Sequence, residues 1–242
     1  MRKISAIAVA ALLIGASAAN AQFCGSQAVG LAIPDNVPAG ISSTINVANA
    51  FAVTGIAVTV SMNHSWVGDL IVTLTAPNGN TRNIMRRTGS FTATGVGDSS
   101  NLIAGGYRFT DRFGATNFAD ISCGANISMM AAGTPSGNWW SEAGVTGAPA
   151  PNTAGGTTYN LRLGDYIASS NNHSVNYAGS YVEVNLLADL GSQSNGNWRL
   201  TVSDNAGADT GTLVSWTLAL LPEPASMSLL ALGGLLLARR RR

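Results

Sequence analysis

The sequence predicts an all-β protein with a hydrophobic segment at each end of the chain. From residue 33 onwards, short runs of Val, Ile, Thr and Leu alternate with clusters of Gly, Asn, Asp and Pro. This is the pattern of many short strands joined by tight turns. Only 10% of the residues are charged, 28 are Gly, and hydrophobic residues reach 46%. A chain of 242 residues is long enough for one such domain together with its processing segments.

The first half of the chain contains three predicted strands and one predicted hairpin. The strands are residues 41–47, 53–62 and 70–75. In the last of them Leu70, Val72 and Leu74 share a face, because side chains alternate along a strand. The sequence APNG at 76–79 then predicts a turn, since Pro fixes φ and Asn-Gly tolerates positive φ. Residues 82–85 are expected to return as the hairpin partner.

The last two predicted strands are residues 198–202 and 213–220, joined by a polar turn. The residues that we expect to be buried in them are Trp198, Leu200, Val202, Val214, Trp216, Leu218 and Leu220. Trp66 also lies within a strand motif, and we expect it in the core with Trp198 and Trp216.

The charge of the chain argues against nucleic acid as a partner. Six of the 13 basic residues lie in the two terminal segments. Between Gln22 and Leu221, seven basic residues oppose eleven acidic ones, so this region has a formal charge of −4. Binding to phosphates needs a dense basic face, which such a region lacks.

The N-terminus has the pattern of a secretory signal peptide, predicted over residues 1–21. A basic start is followed by an apolar run over residues 4–19 and by an A-x-A step whose small residues are Ala19 and Ala21. Signal peptidase would then cut before Gln22. We therefore expect export, with an uncleaved membrane anchor as the alternative.

The C-terminal segment, residues 222–242, has three parts in a fixed order. They are a Pro-Glu-Pro step (Pro222, Glu223, Pro224), an apolar run over residues 225–238, and a basic cluster (Arg239, Arg240, Arg241, Arg242). The apolar run has 14 residues, fewer than the roughly 17 to 25 of a stable membrane-spanning helix. Because basic clusters stay cytoplasmic, this run could hold the exported chain in the membrane transiently.

This three-part order resembles the PEP-CTERM sorting signal that exosortase reads. The resemblance implies a short hydrophobic sorting helix and cleavage near Pro-Glu-Pro. It also implies transient anchoring in the inner membrane, followed by release or attachment at the surface of a Gram-negative, matrix-producing bacterium. A plain hydrophobic tail anchor is the alternative.

The two cysteines of the chain, Cys24 and Cys123, are expected to form one disulfide, because an exported chain meets an oxidising environment. The bond would tie the N-terminal segment to the domain. Lipidation of Cys24 is the alternative, although residues 21–23 form a poor lipobox.

Several motifs in the domain, residues 22–221, resemble the P domain (P/Homo B domain) that follows the subtilisin-like catalytic domain of proprotein convertases. They are IPDN at 33–36, HSWVGDL at 64–70, APNG at 76–79, NGNW at 195–198, LTVSDN at 200–205, DTGTL at 209–213 and SW at 215–216. They span residues 33–221 in the order of the family. The resemblance implies a jelly-roll-like β-sandwich that accompanies a protease and has no catalytic residues of its own.

The middle of the chain, about residues 124–174, departs from the family pattern because it is longer and rich in Gly, Ala and Asn. We interpret it as an irregular excursion in which strands resume at residues 159–163, followed by a further strand at residues 181–186. Trp139 and Trp140 lie in this excursion and could stack on the sugar rings of an extracellular polysaccharide. A hydrophobic cluster under a long loop is the alternative.

A serine-hydrolase site is not expected. His64, Ser65 and Asp69 supply the three group types of a triad, but neighbours in an extended segment point to opposite faces and do not converge. The resemblance instead implies that His64 and Trp66 brace the loop before a strand.

Calcium is the one cofactor that the sequence suggests, because Ca²⁺ prefers carboxylate and loop carbonyl oxygens. The candidate ligands, all in Gly-rich or turn segments, are Asp69, Asp111, Asp204 and Asp209. The resemblance adds that P domains of bacterial proteins can carry calcium. Capping of turns by these aspartates is the alternative.

Taken together, these features predict an exported, surface-sorted, non-catalytic module with a structural or interaction role in the cell envelope or extracellular matrix. The expected processing partners are signal peptidase and exosortase. Two alternatives are open: an accessory domain that supports a separate subtilisin-like protease, and a glycan-binding module.

Overall fold

The computed structural model describes residues 22–88, 97, 99–110, 123, 134–135, 164–167, 169–171, 181–183 and 185–223. Nearly all of its regular structure is β. In chain order the strands are β1 (Phe23–Ile33), β2 (Val37–Val47), β3 (Val53–His64), β4 (Leu70–Thr75), β5 (Thr81–Arg86), β6 (Gly106–Thr110), β7 (Thr134–Pro135), β8 (Gly164–Ile167), β9 (Ser169–Asn171), β10 (Tyr181–Glu183), β11 (Gly196–Asp204) and β12 (Gly211–Pro222). A 3-10 turn at Val67–Asp69 precedes β4, and one short helix, α1 (Leu186–Leu190), precedes β11.

The strands form two main sheets. One has six strands in the order β1-β12-β3-β6-β8-β7, and the other has four in the order β2-β11-β4-β5; β9 and β10 pair separately. All pairings are antiparallel except those of β8 with β6 and with β7, which are parallel. β1 and β2 follow each other in the chain but are terminal strands of different sheets in the described part of the chain.

One hydrophobic core fills the space between the two sheets, as the predicted β-sandwich requires. Fully buried side chains from the six-stranded sheet include Val58, Val60, Met62, Trp216, Leu218 and Leu220, and those from the four-stranded sheet include Leu70, Val72, Leu74, Trp198, Leu200 and Val202. The indole N–H of Trp216 crosses the core and donates to the hydroxyl of Ser43, 2.9 Å away. The β-sandwich prediction is confirmed, and the jelly-roll description stays a prediction.

The hairpin predicted around APNG is confirmed. β4 pairs with β5 from Thr75↔Thr81 onwards, and Gly79 adopts the positive φ (88°) that the turn requires. Within the turn, the amide of Ala76 donates to the carbonyl of Asn80. The alternation predicted for residues 70–75, which form β4, is also confirmed, because Leu70, Val72 and Leu74 are all fully buried.

Two expectations about the core are wrong. Val214 is 38% exposed and Leu213 is fully buried, because a register shift between Leu213 and Ser215 exchanges the faces of β12 at this point. Trp66 is only partly buried, since it lies in the loop between β3 and β4 rather than in a strand.

The N-terminal strand β1 was not expected, since the strand pattern was read only from residue 33 onwards. It pairs with β12 along most of its length, with an irregularity between Ala28 and Leu31. Of the predicted excursion over residues 124–174, the structure describes the backbone of β7, β8 and β9 and no side chains. Strand β10 confirms part of the strand predicted at 181–186, but Leu186 begins α1 instead. The strand predicted at 159–163 lies outside the described residues.

In the described part of the chain, no helix has both the length and the apolar character needed to cross a membrane.

Candidate functional site

A cluster of buried polar side chains lies at one end of the sandwich, where four strands begin or end. β3 ends in His64, β4 begins after Asp69, Arg87 follows β5, and Asp204 ends β11. All four side chains are nearly inaccessible to solvent. Because burial of charged groups is unfavourable unless they are paired, the contacts among them decide what this cluster can do.

His64 is held by hydrogen bonds on both sides of its ring. Its Nε2 lies 3.1 Å from Oδ2 of Asp204, and both side chains are fully buried. Its Nδ1 lies 3.1 Å from the amide nitrogen and 2.9 Å from the carbonyl oxygen of Trp66. With the proton on Nε2, the ring donates to Asp204 and accepts from the amide of Trp66, so each ring nitrogen has a partner within the fold. The expected bracing of the loop before β4 is consistent with these contacts.

Ser65 points away from His64 and towards the turn after β11. Its hydroxyl donates to Oδ1 of Asp209, 2.7 Å away, and the backbone amide of Ser65 donates to the carbonyl of Thr210. Asp204 thus contacts His64, whereas Asp209 contacts Ser65, so these contacts do not place the histidine and the serine in one hydrogen-bonded relay.

In the described part of the chain, a shallow depression lies beside these residues. It is lined by Asn63, His64, Ser65, Asn101, Leu102, Ile103, Ala104 and Thr210. Both ring nitrogens of His64 are engaged by groups of the fold. The wall opposite is fixed by Tyr107, whose hydroxyl bonds both the amide and the carbonyl of Ile103.

Asp69 is the most perturbed carboxylate of the cluster. Among the described residues its Oδ1 is buried without a hydrogen-bond partner, and the Arg87 guanidinium lies 4.0 Å away as a counter-charge. Burial, and then the negative charge of Asp204, raise the pKa of Asp69 to about 7, although Arg87 acts in the opposite direction. Asp209 and Asp35 add smaller effects in the same direction as burial. Asp69 is thus a carboxyl that the fold disfavours in its charged form.

The surroundings of Asp69 are fixed by backbone bonds. The amide and the side-chain amide of Asn205 both donate to the carbonyl of Asp69, at 2.9 and 3.1 Å. Arg87 in turn donates to the carbonyl of Asn205 at 2.9 Å. These bonds join the start of β4 to the end of β11 and to the residue after β5.

The structure brings three of the predicted calcium ligands to one end of the sandwich but does not assemble them into a site. Oδ1 of Asp204 accepts from the amide of Ala206, Oδ2 faces His64, and Oδ1 of Asp209 accepts from Ser65. Within the described residues, no three acidic, His or Cys side chains form a group that could hold a metal ion. Asp111 lies outside the described residues, so calcium binding stays a prediction.

Sequence reasoning did not identify Arg87, Asn205 and Asp35 as members of this end of the sandwich. Arg87 is a counter-charge of Asp69, Asn205 connects the two, and Asp35 accepts from the amide of Ala208 at 3.2 Å. Two signals were present in the sequence. Asn205 lies within the LTVSDN motif and Asp35 within the IPDN motif, and both motifs carried the resemblance.

The predicted disulfide between Cys24 and Cys123 is confirmed. It closes a sequence separation of 99 residues and attaches the edge strand β1 to a buried cysteine.

The remaining predicted residues are only partly described. Pro222 ends β12, and the amide of Glu223 donates to the carbonyl of Ala52, so the sandwich extends to the start of the Pro-Glu-Pro step. The others lie outside the described residues. They are Ala19, Ala21, Trp139, Trp140, Pro224, Arg239, Arg240, Arg241 and Arg242.

Comparison with known proteins supports the P-domain resemblance. Residues 53–102 and 155–220 match the family model described as the proprotein convertase P-domain. No curated protein matches the chain. Two solved structures are similar: the Aeromonas sobria serine protease in complex with the chaperone ORF2 (14% identity, 88% of this chain and 29% of that chain, TM-score 0.38) and the serine protease of Aeromonas sobria (15% identity, 84% and 27%, TM-score 0.37). The chain thus spans less than a third of these protease chains.

Proposed function

We propose that the chain is a non-catalytic β-sandwich module of the P-domain type that acts by binding, in the cell envelope or the extracellular matrix. The observation that carries this proposal is the environment of His64. Both of its ring nitrogens bond groups of the fold, and its carboxylate partner Asp204 is fully buried. A general base must instead have a nitrogen free to take a proton from the nucleophile.

The chemistry of Ser65 leads to the same conclusion. A nucleophilic serine needs a neighbouring base that accepts its proton. The hydroxyl of Ser65 donates directly to the carboxylate of Asp209, with no imidazole between these two groups. Hydrolysis would require His64 to release one of its two partners, Trp66 or Asp204. Release of Asp204 would leave a buried carboxylate without its partner.

Peptide hydrolysis by the purified full chain tests this proposal. We expect the same rate for wild type and for His64→Ala, equal to the rate of the buffer alone, on unstructured protein substrates. The matched variant Ser65→Ala should behave identically. A wild-type rate above the background that both substitutions remove would overturn the proposal.

Export and sorting are part of the proposal. They are supported by the signal-peptide pattern, by the three-part tail, and by the position of Pro222 at the end of the last strand. Intact mass of the protein recovered from its host tests them. We expect the loss of residues 1–21 and of the segment after about Pro224. Retention of the four terminal arginines would contradict sorting.

A second candidate function is the support of a separate subtilisin-like protease, and the observation that favours it is the family match itself. Co-expression tests it. We expect a subtilisin-like partner to be recovered with the tagged full chain and to lose activity faster when the chain is deleted. An unchanged protease half-life in the deletion strain would exclude this role.

A further inference from the structure

The first and the last strand of the sandwich place both ends of the domain side by side. β1 begins at Phe23, β12 ends at Pro222, and the two strands pair antiparallel with Phe23 opposite Leu220. Opposite residues of an antiparallel pair have Cα atoms about 4.5–5.5 Å apart. The chain therefore enters and leaves the sandwich at the same end.

We call this end of the sandwich the tail end. Its described surface consists of the loop 48–52 between β2 and β3, the turn 76–80 between β4 and β5, residues 191–195 before β11, and Pro222. Hydrogen bonds join these parts. The amide of Phe51 donates to the hydroxyl of Ser194 at 2.7 Å, and the side-chain amide of Asn78 donates to the carbonyl of Leu190, the last residue of α1, at 2.8 Å. The tail end is thus one continuous surface built from both sheets.

Only short connections separate this end from the two apolar runs of the sequence. The run 225–238 begins three residues after Pro222, and the run 4–19 ends four residues before Phe23. Three residues span at most about 11 Å and four at most about 14 Å. The amide of Glu223 still donates to the carbonyl of Ala52, which shortens the first connection further. A membrane that holds either run must therefore lie next to the tail end.

Basic residues flank each apolar run on the side away from the domain. Arg2 and Lys3 precede the first run, and four arginines, residues 239–242, follow the second. Because basic flanks stay on the cytoplasmic side, both runs direct the sandwich to the opposite side of the membrane. Both runs can therefore lie in one bilayer beneath the tail end.

The chemistry of the tail end suits contact with lipid headgroups. Its exposed described residues are mostly small or carry amides; they include Ala48, Asn49, Ala50, Asn78, Asn80 and Gln193. Amide side chains both donate and accept, so they can bond the phosphate and ester oxygens of lipids without a charged partner of their own. At the border of this surface, Arg82 and Asp189 neutralise each other at 2.7 Å.

We propose that the sandwich stands with its tail end on the phospholipid surface while the C-terminal apolar run is held in the membrane. The opposite end, which we call the cluster end, holds His64, Asp69, Arg87 and Asp204 and then points away from the bilayer. β3 joins the two ends with 12 residues. At about 3.3 Å per residue, its length keeps the cluster end roughly 35 Å from the lipid.

This inference rests on the proposed export and sorting, and it adds an order of events to them. The cluster end and the depression beside His64 are open to a partner during anchoring. The tail end is covered by lipid until the apolar run is removed. A partner of the tail end can therefore bind only after release from the membrane.

Quenching by labelled lipid headgroups measures which end lies near the bilayer. The disulfide-bonded full chain is placed in vesicles of phosphatidylethanolamine and phosphatidylglycerol, in which a small fraction of lipids carries a spin label on the headgroup. One fluorophore is attached at Ala50→Cys of the tail end, and at Gly207→Cys of the cluster end as the matched control. Ala50 is exposed, and a Cβ at Gly207 meets nothing within 4 Å, so the fold should tolerate both labels.

We expect the label at residue 50 to lose most of its fluorescence and the label at residue 207 to lose none, because spin-label quenching acts only at short range. Ala48→Cys and Ala39→Cys, which lie near opposite ends of β2, repeat the comparison. Equal quenching at the two ends of protein that floats with the vesicles, or stronger quenching at the cluster end, would overturn the inference and leave the proposed sorting intact. A wild-type chain that does not float would overturn both.

Discussion

Nε2 of His64 lies 3.1 Å from Oδ2 of Asp204, and this contact joins the two sheets of the sandwich at a distance of 140 residues in the chain. His64 ends a strand of the six-stranded sheet and Asp204 ends a strand of the four-stranded sheet. Both side chains are fully buried. The pair therefore links the two sheets at one end of the sandwich, where both strands end.

Removal of the imidazole should destabilise the fold, because it leaves the Asp204 carboxylate buried without its partner. We expect His64→Ala to lower the free energy of unfolding by about 2–4 kcal/mol, measured by chemical denaturation. Asp35→Ala, which removes an exposed carboxylate with one backbone bond, should cost less than about 1 kcal/mol. Equal losses in the two variants would show that the His64 contact is not structural.

Asp69 should make stability depend on pH in an unusual direction. Its pKa in the folded state is raised to about 7, whereas an unfolded Asp has a pKa of about 4. The folded state therefore binds this proton more tightly than the unfolded state does. Through this group, the free energy of unfolding increases as the pH falls from about 7 to about 4 and decreases as the pH rises over the same range.

The substitution Asp69→Asn removes this dependence. In the presence of a chelator, the variant should be more stable than wild type by up to about 4 kcal/mol near pH 8, and the difference should vanish near pH 4. Denaturation of both proteins across this range is the measurement. A difference that is independent of pH would contradict the assignment to Asp69.

The calcium prediction leads to the opposite effect of the same substitution. If Asp69 contributes to a calcium site, Ca²⁺ added to chelator-treated full chain raises the melting temperature, and Asp69→Asn abolishes that rise. Mg²⁺ is the control ion, since it prefers a smaller octahedral site. If Ca²⁺ leaves the melting temperature of the wild type unchanged, the calcium prediction is wrong. Arg87, and not a metal ion, is then the counter-charge of Asp69.

The disulfide should stabilise the domain by restricting its unfolded state. We expect the double variant Cys24→Ser/Cys123→Ser to lose about 2–4 kcal/mol of unfolding free energy, since the bond closes a long loop. The matched single variant Cys24→Ser should lose at least as much. A double variant as stable as wild type would mean that β1 is held by its pairing with β12 alone.

The sequence predicted the parts of the fold whose pattern is local. The alternation in β4 and the Pro-Asn-Gly turn after it are visible in a few neighbouring residues, and both are confirmed. The disulfide was predictable because the chain has two cysteines. Resemblance to the P domain added the order of the strand motifs.

The parts that were missed depend on contacts between distant residues. The shift that exposes Val214 is set by the pairing of β12 with β3, not by the local alternation. Likewise, Arg87 lies next to Asp69 only because β5 and β11 flank β4. No pattern along the chain distinguishes this buried arginine from an exposed one after a strand.

Intact-mass spectrometry after treatment with a fluorophosphonate, a reagent that labels activated serines, tests the central claim most directly. The claim is that His64 stabilises the fold through its hydrogen bonds and does not activate Ser65. We predict that the mass of the full chain stays unchanged by the reagent. A single adduct on Ser65 that His64→Ala abolishes would contradict the claim and make the chain an enzyme.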